Sequence, residues 1–181
     1  MPWIQSIGAA AAVSDYDRDG DLDLYVTSSR KGTANALWRN EGGLKFIDVG
    51  LEAGVAAVND ADGVSMDAAF ADLDQDGDDD LYIVQWGKNR LFRNNGNGKF
   101  DDITDSSGTG DRSNGNAVLP FDYNLDGLVD LLVCNYFPAV DLTNLSTTRI
   151  MHDSFEAARN GGANVLYRNL GGLKFKTWPT S

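Results

Sequence analysis

The sequence predicts an all-β repeat protein, and three observations carry this expectation. The pattern Asp-x-Asp/Asn-x-Asp-Gly-x-x-Asp occurs three times. Each copy runs straight into a short stretch rich in apolar, aromatic and β-branched residues. Each is then followed by an Asn-x-Leu-aromatic-Arg-Asn segment and a glycine turn. A fixed order of such segments at a period near 50 residues is the mark of a repeat architecture.

The acidic loops run from Asp15 to Asp23, Asp72 to Asp80 and Asp122 to Asp130, so they begin 57 and then 50 residues apart. Small and apolar residues precede them, such as Ala9 to Val13 and Met66 to Ala71. The stretches Leu24-Tyr25-Val26, Leu81-Tyr82-Ile83-Val84 and Leu131-Leu132-Val133 follow. Residues of this kind favour a half-buried pleated surface, so each loop joins two strands as a hairpin. The third strand of each unit is Asn35 to Asn40, Asn89 to Asn94 and Asn164 to Asn169. Turns at Gly42-Gly43, Gly96-Asn97-Gly98 and Gly171-Gly172 lead to fourth strands containing Phe46, Phe100 and Phe175, because Asn and Gly accept the positive φ of tight hairpins.

Four antiparallel strands of this size make the blade of a β-propeller. The chain reads as one domain over residues 1–181, with blades near 4–54, 60–108 and 113–179. Trp38, Phe92 and Tyr167 share one repeat position, and Phe46, Phe100 and Phe175 another; both sets are expected to pack between neighbouring blades. The third repeat carries an insertion of about 25 residues, within 137–163, with a short helix expected over Thr148 to Asn160 that Gly161-Gly162 stops.

Composition excludes several functions. The chain has 181 residues, 42% of them hydrophobic, with a net charge of -12, which argues against nucleic acid and anionic membranes as partners. No run approaches the roughly 20 apolar residues of a spanning helix, so membrane insertion is not expected. The single cysteine, Cys134, allows neither an internal disulfide nor a cysteine zinc site and reads as a buried small hydrophobe. Met1-Pro2-Trp3-Ile4 lacks the basic-then-apolar pattern of a signal peptide; if the protein is exported, its leader has been removed or lies outside this chain.

The acids themselves point to a cation. Aspartates at alternate positions crowd carboxylates within a few ångströms, where like charges raise each other's pKa unless a counter-ion intervenes. Glycine at position 6 permits the bend that turns them inward, and short Asp side chains suit the 6–8 oxygen ligands of Ca²⁺ better than the octahedral, water-retaining Mg²⁺. An EF-hand needs a bidentate Glu at position 12 and flanking helices, whereas position 12 here is Val26, Ile83 and Val133, each in a strand. The last acid falls at position 9. Three Ca²⁺ sites are therefore expected. Side-chain ligands come from positions 1, 3, 5 and 9: Asp15, Asp17, Asp19 and Asp23; Asp72, Asp74, Asp76 and Asp80; Asp122, Asn124, Asp126 and Asp130. Position 7 adds a backbone carbonyl from Asp21, Asp78 and Leu128. Three ions would bring the net charge from -12 to -6, at two charges each. Loop three has Asn124 in place of an acid and is expected to bind most weakly.

These residues resemble the FG-GAP and VCBS repeats of calcium-binding β-propellers, including the loop of integrin α-subunits, and most of all the repeats that precede ASPIC/UnbV domains. There an alanine-rich strand leads into the Asp loop, then Asp-Leu-Tyr-Val, Asn-x-Leu-Tyr-Arg-Asn and a Gly-x-Phe strand; this chain reads Asp23-Leu24-Tyr25-Val26 and Asn164-Val165-Leu166-Tyr167-Arg168-Asn169. The resemblance implies calcium ligands at the positions named above. It covers nearly the whole chain outside the linkers and the insertion. The family's seven-bladed closure is not carried over, since three blades are present, so an incomplete propeller or part of an assembled one is expected. Such propellers serve adhesion, lectin-like binding and, in a few cases, polysaccharide degradation. The expected function is a non-catalytic binding, adhesion or scaffold module of an extracellular, cell-surface or periplasmic protein, with a protein or glycan partner. The alternative is a subunit that self-associates through open blade ends into a ring or filament. An enzyme is disfavoured. His152, Asp153 and Ser154 are adjacent, and neighbours on a helix do not face one another. Arg39, Arg93 and Arg168 recur at one repeat position, which suggests bonds within their own blades. Asn144-Leu145-Ser146 fits the glycosylation pattern, which carries meaning only in a eukaryotic secreted protein and is otherwise a chance match.

Overall fold

The computed structural model describes residues 9–137 and 161–178. Among the described residues, twelve strands run in three groups of four. The first group is β1 (Ala11–Ser14), β2 (Asp23–Val26), β3 (Ala36–Asn40) and β4 (Phe46–Asp48), an antiparallel meander in that order. The second is β5 (Gly63–Ala71), β6 (Asp80–Lys88), β7 (Arg90–Asn94) and β8 (Phe100–Asp102); the third is β9 (Arg112–Phe121), β10 (Asp130–Phe137), β11 (Val165–Asn169) and β12 (Phe175–Trp178). Both repeat the meander. These are the expected all-β propeller blades, and each acidic loop closes the hairpin between a blade's first two strands.

Blades two and three are joined further. The end of β6 pairs with the start of β9 through Trp86↔Asn114, Gly87↔Ser113 and Lys88↔Arg112, which merges their strands into one sheet of eight. The cause is strand length: β5, β6 and β9 have 9, 9 and 10 residues, against 4 in β1 and β2. Bulges between Ser65 and Asp67 and after Cys134 bend the long strands.

The core lies between blades. Phe92, Phe100, Leu81 and Ile83 of blade two pack on Tyr16, Tyr25 and Leu37 of blade one. Tyr16 and Phe100 have ring centroids 5.8 Å apart, and Phe70 meets Tyr25 edge-on at 6.3 Å. Leu131, Val133, Tyr167, Leu173 and Phe175 of blade three pack in the same way on Leu73, Tyr82 and Leu91 of blade two. Each such side chain contributes about 1.5–3 kcal/mol when fully buried. The recurring aromatics thus pack between blades in repeats two and three. Trp38, on the outer face of blade one, is 38% exposed.

Cys134 corrects an expectation. It is a free thiol of intermediate exposure, not a buried one. Leu131 and Val133 point into the core, so Cys134 lies on the opposite face of β10, which no further blade covers among the described residues.

Among the described residues, two four-residue helices follow β4 and β8: α1 (Gly50–Ala53) and α2 (Thr104–Ser107). Each ends on a left-handed glycine, Gly54 or Gly108, the usual helix stop. These glycines sit against the Phe100 and Phe175 carbonyls that begin the last strand of the next blade. The expected insertion helix, with His152, Asp153, Ser154 and the Asn144 sequence, lies outside the described residues.

Gly87 has φ 126°, and a Cβ there would collide with the Asp62 carbonyl oxygen. Gly87→Ala is therefore expected to destabilise the protein by about 1–3 kcal/mol or more, from backbone strain together with overpacking. Urea unfolding checks this.

Candidate metal site

Backbone conformation shapes each acidic loop. Position 4 is left-handed in all three: Arg18 (φ 58°), Gln75 (φ 64°) and Leu125 (φ 60°). So is the glycine at position 6: Gly20 (92°), Gly77 (88°) and Gly127 (89°). Two left-handed residues two apart curl the chain tightly, and glycine takes this conformation without the Cβ penalty. The curl is fastened by the acids. Position-1 carboxylates accept from the glycine N–H: Asp15 from Gly20 at 3.1 Å, Asp72 from Gly77 at 3.0 Å and Asp122 from Gly127 at 2.8 Å. Position-5 carboxylates accept from the position-7 N–H: Asp19 from Asp21 and Asp76 from Asp78 at 2.9 Å, and Asp126 from Leu128 at 3.0 Å.

As a result Asp15, Asp17 and Asp19 each offer a carboxylate oxygen within 4.8 Å of the others, and Asp72, Asp74 and Asp76 do the same. The position-9 acids lie outside these convergent sets. Asp23, Asp80 and Asp130 are buried behind the loops. Each accepts the position-2 N–H, from Tyr16 (3.3 Å), Leu73 (3.3 Å) and Tyr123 (3.1 Å). Each also accepts the N–H of the third-strand asparagine, from Asn40 (2.8 Å), Asn94 (2.9 Å) and Asn169 (2.7 Å). These bonds brace the loop against the blade.

Loop three is arranged differently. Asn124 donates its amide to Asp126 Oδ2 at 2.8 Å, and Arg168 approaches the same oxygen at 3.4 Å. The Asp126 N–H in turn reaches Asp122 Oδ1 and Asn124 Oδ1. Its polar groups satisfy one another.

Loops one and two pass a test that loop three does not. Asp15 Oδ1, Asp17 Oδ1 and Asp72 Oδ1 are buried with no hydrogen-bond partner. A buried carboxylate oxygen without a donor is costly, and such orphans are rare in folded proteins. Burial and like charge act on these groups in the same sense. Burial, and then Asp19, raises the Asp17 pKa; burial, and then Asp76, raises that of Asp74. Burial pushes Asp23 up to about 6 and Asp80 up to about 7, against the pull of the Asn40 and Asn94 N–H groups. Asp126 of loop three shifts downward, held by the Leu128 N–H and then by Asn124. Oxygen-only, acidic and bent, the first two loops fit a hard divalent cation.

The recurrent arginines stay on their own repeats. Arg39 pairs with Glu41, Arg93 lies 3.5 and 3.6 Å from Asp74 and Asp76, and Arg168 reaches Asp126.

One role escapes sequence reasoning. The amides of Asn94 and Asn169 cross to the preceding blade and donate at 2.8 Å to the position-2 carbonyls of its loop, Tyr16 and Leu73. Their Oδ1 atoms close the glycine turns by accepting from Gly96 and Gly171. The recurrence of Arg-Asn before every glycine turn is the signal that marks them.

Propeller blades that each carry an aspartate loop on the first hairpin define a class of acid-loop β-repeat proteins. Within that class, the FG-GAP-like repeat matches residues 15–83 and again 72–133, and the chain belongs to this family. It is similar to Cartilage acidic protein 1 of Mus musculus, 34% identical over 146 residues, and of Homo sapiens, 30% identical over the same length. Each alignment covers 74% of this chain and 22% of the relative, so the chain spans about a fifth of their length. Among solved structures it is similar to an Agrocybe aegerita lectin that recognises non-reducing terminal N-acetylglucosamine. That likeness has a TM-score of 0.46 and 19% identity, over 94% of this chain and 37% of the other.

Proposed function

We propose that the chain is a calcium-binding repeat module that acts as a non-catalytic binding, adhesion or scaffold surface in a secreted or cell-surface protein. The observation that carries this reading is the set of buried, unpartnered carboxylate oxygens on Asp15, Asp17 and Asp72. The proposed ligands are Asp15, Asp17, Asp19, Asp23 and the Asp21 carbonyl in loop one, and Asp72, Asp74, Asp76, Asp80 and the Asp78 carbonyl in loop two. Loop three contributes Asp122, Asn124, Asp126, Asp130 and the Leu128 carbonyl. Bound Ca²⁺ would neutralise the converging carboxylates. The protein's own part is to hold those oxygens in place through the Gly20, Gly77 and Gly127 N–H bonds, and to fix the hairpins so that the blades present a stable face. Extracellular calcium modules bind at about 10⁻⁴–10⁻³ M, which matches the calcium outside cells. The expected partner is a protein or a glycan.

Calorimetric calcium titration of the chain and of Asp15→Asn, Asp72→Asn and Asp122→Asn tests the proposal. Each substitution is expected to remove one binding event, and the event lost in Asp122→Asn should be the weakest. A wild-type chain that takes up no calcium overturns the reading. A panel of glycans and matrix proteins, probed with and without calcium, tests the binding role.

Self-association is a second reading, favoured by the end faces. Leu44 of blade one is 83% exposed, whereas its repeat equivalent Leu173 is 7% exposed under blade two. Leu119 and Trp178 of blade three are also exposed. Light scattering in calcium decides it, since a monomer at high concentration removes this reading.

A further inference from the structure

The third loop residue before each position-7 site faces outward and does not point at its own carboxylates. Arg18, at position 4 of loop one, reaches across to loop two. It donates to the Gly77 carbonyl at 2.8 Å and the Asp76 carbonyl at 3.1 Å, and lies 2.9 Å from the Asp78 carboxylate. Gln75, at position 4 of loop two, repeats the reach and donates to the Gly127 carbonyl of loop three at 2.6 Å. In both cases the acceptor is the position-6 glycine of the next loop, and in both the donor residue is left-handed. Leu125, at position 4 of loop three, has no side-chain donor and is 88% exposed. The carbonyls used, at positions 5 and 6, are not those proposed as ligands.

We propose that the acidic loops are wired in series, with Arg18 and Gln75 carrying the order of one loop to the next so that cations fill them cooperatively; this rests on the calcium reading above. The physical basis is the left-handed position 4. Its backbone adopts that unfavourable conformation only while the loop is curled. The cation-held curl delivers the side chain to the next loop's glycine, and that glycine's N–H is the one bound by the position-1 carboxylate. Ordering one loop therefore lowers the cost of ordering its neighbour. Linkage makes the coupling reciprocal, so loading loop two must favour loop one by the same factor. The Arg18 side chain is exposed, which places the coupling at the low end of the usual range, about fivefold in affinity.

The test uses the full chain, with the Gly20, Gly77 and Gly127 amide resonances as site-resolved reporters in a calcium titration. In otherwise wild-type protein, Asp15→Asn is expected to weaken calcium binding at Gly77 about fivefold, and Asp72→Asn to weaken it at Gly20 by the same factor. In the Arg18→Ala background both effects should vanish. In Arg18→Gln, which keeps an amide donor like that of Gln75, they should persist. The Arg18→Gln result separates hydrogen-bonded coupling from the charge of the guanidinium, whose removal alone shifts loop-two affinity. If the effect of Asp15→Asn at Gly77 survives Arg18→Ala, the wiring is overturned while the calcium reading stands. If no glycine responds to calcium in any variant, both fail together.

Discussion

Transfer from about 10 mM calcium to excess EDTA is expected to lower the melting temperature by about 10–20 °C. A ligand that binds only the folded chain stabilises it by about 2.7 kcal/mol at a hundredfold excess over Kd. At that concentration, sites with Kd near 10⁻⁴ M reach this excess. Two such loops give about 5 kcal/mol, and a chain of this size gains about 2–4 °C per kcal/mol. The structure explains why the loss should be large. In EDTA, Asp15, Asp17 and Asp72 keep buried oxygens with no donor, within two clusters of like charge. The loops also bind neighbouring blades through Asn94, Asn169, Arg18 and Gln75, so loosening them loosens the contacts between blades. Differential scanning fluorimetry with and without chelator reads the shift directly.

Asp80→Ala is expected to cost about 2–6 kcal/mol, and to cost it in EDTA as well as in calcium. Asp80 is 1% exposed, and its two carboxylate oxygens take the Leu73 and Asn94 N–H groups. Alanine leaves two buried donors unmade, at about 1–3 kcal/mol each. The bonds exist without a cation, so chelation should not erase the effect. Asp72→Asn offers the contrast. It preserves an acceptor for Gly77 and removes a converging charge, so its destabilisation should appear in calcium and largely disappear in EDTA. Guanidinium unfolding of both variants under both conditions separates the part of each effect that survives chelation, which is bracing, from the part that needs calcium.

That contrast also marks what was legible in the sequence. The loops and the strands around them could be read because their information is local. Alternate acids with a glycine at position 6 dictate a curled hairpin, and the apolar runs beside it dictate strands. The convergence of Asp15, Asp17 and Asp19, and of Asp72, Asp74 and Asp76, follows from that spacing once positions 4 and 6 turn left-handed. The bracing role of Asp23, Asp80 and Asp130 was hidden because it depends on Asn40, Asn94 and Asn169, up to 39 residues away. Arg18 and Gln75 look like ordinary exposed polar residues until the next blade is placed beside them. The helices α1 and α2 are too short to show a helical period, and only Gly54 and Gly108 signal them. The β6–β9 pairing joins strands from different repeats, and nothing within one repeat encodes it. The apolar neighbours of Cys134 suggest a buried thiol, but its side of β10 lacks a covering blade among the described residues.

A crystal structure grown in about 10 mM calcium decides whether the first two loops hold a cation. Density for a cation is expected in loops one and two, about 2.3–2.6 Å from oxygens of Asp15, Asp17 and Asp19 and of Asp72, Asp74 and Asp76. Loops that stay empty at that concentration, with Asp15 Oδ1, Asp17 Oδ1 and Asp72 Oδ1 satisfied by water or by protein donors instead, would contradict it.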